Sequence, residues 1–123
     1  MTAVVEKDRS IYVGDTTPWE VTCENSAGIA VNITGYTMYL TIKTVYDTDN
    51  TDANAVLKKT IASGSLSDPT NGVFQITFSG TDTLLEAGPY KYDIKAKSPA
   101  GVVTTIQKGL LKVIDAATRR ANA

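Results

Sequence analysis

Asp47, Asp49 and Asp52 form the densest group of ligating side chains in the sequence: three carboxylates within Asp47-Thr48-Asp49-Asn50-Thr51-Asp52-Ala53-Asn54. Calcium takes six to eight oxygen ligands, and carboxylates at such spacings could supply several of them. An EF-hand loop also needs a glycine at its turn and a closing glutamate, and this segment has neither. It reads as a solvated loop, no metal is assigned, and Asp47, Asp49 and Asp52 stand as the calcium candidate.

Nucleophile chemistry has little to draw on. The chain has no histidine and one cysteine, Cys23, so the usual general-base, nucleophile and zinc sets lose their members. Cys23 alternates with Trp19 and Val21, which places it in a core slot, and a lone cysteine makes no internal bridge. We expect no enzyme and no cofactor. Stacking is the remaining chemistry. Tyr39 and Tyr46 are the exposed aromatics close in sequence, and with the acidic loop they define an alternative reading as a carbohydrate- or cell-surface-binding module. Their odd spacing puts them on opposite faces of an unbroken strand, which counts against a shared platform.

The elements that must carry these residues are strands. In Ala87-Gly88-Pro89-Tyr90-Lys91-Tyr92-Asp93-Ile94-Lys95-Ala96-Lys97, a corner at Gly88-Pro89 leads into a strand. Tyr90, Tyr92, Ile94 and Ala96 share its dry face, and Lys91, Asp93, Lys95 and Lys97 its wet face. Tyr90 at the strand start fits a tyrosine corner, its ring in the core and its hydroxyl bonded back to the corner's backbone.

The same alternation runs through Pro18–Glu24, with Trp19, Val21 and Cys23 inward, and through Tyr36–Val45, with Tyr36, Met38, Leu40 and Ile42 inward and Tyr39 outward. Asn71-Gly72 launches Val73–Phe78, whose Phe74, Ile76 and Phe78 face the core. Ala55–Ile61 carries Lys58 and Lys59, the composition of a defended sheet edge. Residues 79–86 are expected to hold one helical turn, capped by Thr81 or Asp82, with Leu84 or Leu85 plugging the bottom of the sandwich. Near Lys108-Gly109 the alternation of the last strand slips, predicting a β-bulge at Gly109.

About seven short strands separated by turn signals predict an all-β fold, an antiparallel immunoglobulin-like β-sandwich filling residues 1–123 as one domain. Residues 1–9 and 116–123 are expected to be flexible ends. At 123 residues the chain can bury a core without staples. Its net charge of −1 and scattered charges predict no basic field, so neither nucleic acid nor membrane is expected as a partner. The opening residues lack the order of a signal peptide, so the chain is expected to be made in the cytosol.

The order of motifs carries a resemblance over nearly the whole chain. Ser10-Ile11-Tyr12-Val13-Gly14-Asp15-Thr16-Thr17-Pro18-Trp19 is followed by Ile33-Thr34-Gly35-Tyr36-Thr37-Met38 and Asp68-Pro69-Thr70-Asn71-Gly72-Val73-Phe74. Then come Ala87–Ile94 and the closing Gly109–Arg119. This series resembles the immunoglobulin-like domain at the N-terminus of tailed-phage baseplate upper proteins. The resemblance implies a structural protein of a phage or prophage particle, resident in the virion, whose partners are other virion proteins and other copies of itself. It carries over no catalytic site. Where an antibody-type domain has its second disulfide cysteine, this chain has Tyr92, opposite the lone Cys23. The interaction candidates are Tyr39, Lys58, Lys59, Arg119 and Arg120; the structural ones are Trp19, Cys23, Tyr90 and Tyr92.

Overall fold

The computed structural model describes residues 5–48 and 53–115. Among them the alternating segments form eight strands: β1 (Val5–Glu6), β2 (Arg9–Tyr12), β3 (Thr17–Thr22), β4 (Thr37–Thr44), β5 (Leu57–Ile61), β6 (Val73–Phe78), β7 (Gly88–Lys97) and β8 (Val103–Ile114). The described helical elements are two short 3₁₀ turns, Ser63–Ser65 and Pro69–Asn71.

Six strands make one sheet, in the order β1-β8-β7-β4-β5 with β2 also on β8, and β3 pairs β6 in a second. The fold is an all-β sandwich. Its inner faces meet in one core containing Trp19, Val21, Phe74, Ile76 and Phe78 from the small sheet and Met38, Leu40, Ile42, Tyr92, Ile94 and Leu111 from the large one. Trp19 lies edge-on to Phe78 at 4.7 Å and to Tyr92 at 5.3 Å, joining the two layers. Such aromatic pairs add roughly 0.5–1.5 kcal/mol to their burial.

Several expectations are corrected. The sandwich is not wholly antiparallel, because β1 and β2 run parallel to β8. They come from the opposite end of the chain, so no hairpin dictates their direction. Val5–Glu6 and Arg9 are therefore paired in the sheet, while residues 1–4 and the other expected loose end, 116–123, lie outside the described residues. The bulge is also displaced. Register shifts where Ile94 pairs Gln107 and Lys95 pairs Thr105, so the extra residue is Ile106, and Ile106 and Gln107 both turn inward.

Gly109 serves a different purpose. A Cβ there would lie 2.2 Å from the Lys7 carbonyl oxygen, so a side chain would push the N-terminal run off β8. Gly72 is similarly constrained, with φ +73° and the Cys23 and Val31 carbonyl oxygens 2.6 and 2.7 Å from where a Cβ would sit.

Residues 79–86 hold the single helical turn, with Thr83 N–H donating to the Ser79 carbonyl at 3.2 Å, and it is closed as a capping box. Asp82 N–H donates to Ser79 Oγ at 3.1 Å, and Ser79 N–H donates to Asp82 Oδ2 at 2.9 Å. The capping pair is thus Ser79 with Asp82, and Leu85 packs against the core as one of the two expected plugs, joined by the fully buried Thr83. Thr83 Oγ1 donates to the Asp15 carbonyl at 2.7 Å, tying this turn to the one that follows β2. Leu84 stays exposed because its neighbour takes the inward position.

Candidate functional site

The structural residues fall where alternation put them. Tyr90 buries its ring and donates its hydroxyl to the Glu86 carbonyl at 2.7 Å, which is the bond a tyrosine corner makes. Burial, with Glu86 nearby, raises its pKa. Cys23 is buried, and loss of solvent pushes its thiol up to about 11. Tyr92 packs on Trp19 and donates its hydroxyl to the Lys7 carbonyl, with Gln107 Oε1 3.1 Å away. Desolvation raises the Tyr92 pKa, and the Arg9 guanidinium opposes that shift. Arg9 donates from Nε to Gln107 Oε1 at 3.0 Å and lies 4.5 Å over the Trp19 ring. This cluster locks β2 to the core. Sequence reasoning missed Arg9 and Gln107, since one sat in a supposed loose end and the other is turned inward by the bulge.

The interaction candidates separate. Lys59 faces inward from β5, opposite Leu40 in register. Its Nζ pairs with Asp82 at 2.6 Å, donates to the Thr77 carbonyl at 2.7 Å and lies 5.7 Å over Phe78. The hydrogen bond from Lys59 lowers the Asp82 pKa. An inward lysine at the end of a sheet blocks strand addition, and here it also occupies a carbonyl on β6. Lys59 is therefore a strut between layers, with its side chain still partly exposed. Lys58 and Tyr39 point outward. Tyr46 lies in the turn beyond β4, 85 % exposed, apart from the sheet row that holds Tyr39. The Asp47 carbonyl accepts from Lys91 Nζ at 2.5 Å. Asp49, Asp52, Arg119 and Arg120 lie outside the described residues.

What the fold assembles is the outer face of the six-stranded sheet. Lys43 of β4, Lys58 of β5, Lys91, Lys95 and Lys97 of β7, and Lys108 and Lys112 of β8 all occupy outward positions, against the carboxylates Glu6, Asp8 and Asp93. This corrects the expectation from scattered charges. Strands far apart in sequence gather their polar sides onto one plane, producing a basic field that a linear reading does not contain.

Rows run across the strands, one of Lys58, Thr41, Asp93 and Lys108, and another of Thr60, Tyr39, Lys95 and Thr105. Lys43 stands directly opposite Lys91, an arrangement of like charges that does not help a sheet form. Two adjoining concavities of about 560 and 680 Å³ share Thr41, Lys43 and Asp93 in their walls. Leu110 and Val103 are more than half exposed on the same face. An open surface mixing lysines, one tyrosine and aliphatic side chains suits a macromolecular contact better than an enclosed small ligand.

The matching of this chain to family models returned none, and the search of curated proteins returned no similar one.

Proposed function

We propose that this chain is a non-enzymatic structural module of a phage or prophage particle, a tail, baseplate, adaptor or decoration component that works through protein–protein contacts. The observation that carries this reading is the outer face of the large sheet: broad, cationic, edged with apolar groups and built on hydrogen-bonded strands. A rigid sheet presents such a face at little entropic cost on binding. The resemblance in motif order supplies the phage context.

Two features support the immunoglobulin-like reading. The neighbours β4-β7-β8 follow the C-F-G order of an immunoglobulin sheet, and the Tyr90 corner sits at the start of the F-equivalent strand. The opposing sheet has two strands among the described residues, where the immunoglobulin pattern has four.

Mass spectrometry on particles purified from a lysed culture of the source tests the proposal. Peptides of this chain recovered in stoichiometric amount with intact particles are the expected result. Their absence from particles, with the protein in the cell or envelope fraction, overturns it and favours the glycan-binding reading.

A further inference from the structure

We infer that the basic outer face of the large sheet docks on the acidic outer face of the small sheet of a second copy of this chain, head to tail. This deepens the structural-module reading and names its partner.

The argument begins with where the charges lie. No lysine or arginine occurs between Ser10 and Ile42 or between Thr60 and Tyr90, and these two stretches supply β3 and β6. The outer side of that narrow ribbon carries Glu20, with Glu24 and Asp68 in the adjoining loops, all exposed. Glu24 is held by its bridge to Ala30, and Asp68 by its bridge to Val73. Basic and acidic surfaces thus occupy opposite layers of one sandwich.

Apolar groups complement each other as well. Ile29, 63 % exposed in the loop that follows β3, is an exposed apolar group at one end of the acidic ribbon, as Leu110 and Val103 are on the lysine face. The large sheet is five strands wide, because β1 and β2 lie in line along β8, and it spans about 19 Å across its strands at ~4.8 Å spacing and about 26 Å along eight residues. The two-stranded ribbon limits the contact to less than the roughly 800 Å² that each partner of a standard interface buries, which places it among weak, reversible contacts.

A phosphate polymer fits less well. Glu6, Asp8 and Asp93 would repel it, and Leu110 and Val103 would give it nothing. Because the two faces differ, the contact is heterologous, and repetition generates a row or a ring instead of stopping at a pair.

The test is the mass of the purified chain in solution across a concentration series. Wild type should pass from one chain to dimers and larger species. Raising ionic strength from about 0.15 to about 1 M cuts the screening length from about 8 to about 3 Å and should weaken association by roughly tenfold or more. A Lys58→Glu/Lys97→Glu protein and a Glu20→Lys/Glu24→Lys protein, each with its thermal midpoint checked, should be monomeric alone. Mixed in equal amounts they should associate, because the unaltered lysine face of the second protein meets the unaltered acidic face of the first. A wild type that stays monomeric throughout overturns the inference. Association that survives either reversal, or a mixture that stays dissociated while both variants are folded, also overturns it. None of these outcomes alters whether the chain is recovered from particles, so the two readings fail separately.

Discussion

The Tyr90 hydroxyl reaches back four residues to the Glu86 carbonyl, and removing it leaves the ring's packing in place. Tyr90→Phe should therefore cost about 1 kcal/mol, read as a drop of about 4 °C in thermal midpoint. An unchanged midpoint would show that the corner adds nothing to stability. Cys23 makes the opposite kind of case. With its pKa near 11, roughly one thiol in a thousand is thiolate at pH 8, and burial blocks access as well. A thiol reagent should leave the native protein unmodified and label it fully in denaturant; rapid labelling of the folded chain would contradict the burial. Both residues were legible from alternation alone, because a period of two assigns a face to each position of a half-buried strand.

Among elements, the joint between β8 and the N-terminal run depends on Gly109. Gly109→Ala places a methyl against backbone that cannot rotate away, and should destabilise by about 1–3 kcal/mol in urea unfolding. A neutral result would mean that β1 and β2 can shift without loss. The strut from β5 to the capping turn has a pH signature. Asp82 has its folded-state pKa lowered by the Lys59 hydrogen bond, so its contribution is present above the unfolded value of about 4 and is lost as pH falls through the folded value. Asp82→Asn should flatten the part of the acid-unfolding curve below about pH 4 and leave the remainder similar; a curve identical to wild type would exclude the pair from that response. Sequence placed β5 at an edge correctly. The spacing of Leu57 and Ile61 also puts Lys59 on the inward face, but only the fold supplies its partner, Asp82, from the turn after β6.

At the scale of the molecule, charge is the property that folding rearranges. The chain is almost neutral, yet its two outer layers have opposite sign. Salt should therefore act on association far more than on stability. A thermal midpoint nearly unchanged between about 0.15 and about 1 M salt, alongside strongly salt-sensitive association, is the expected pairing, because the core interactions are apolar and the exposed charges are screened. A midpoint that moved as strongly as association would place the lysine face in the stability of the monomer.

Hydrophobic alternation and turn chemistry determined the sandwich, its buried set and the tyrosine corner, because these are local periodicities that burial rewards directly. Tertiary structure alone decided the parallel seating of β1 and β2, the bulge at Ile106, the pairing of Lys59 with Asp82 and the gathering of lysines onto one sheet face. Each depends on which strands become neighbours and in what register. For β2 and β8 that choice joins residues about a hundred positions apart, and no local pattern encodes it.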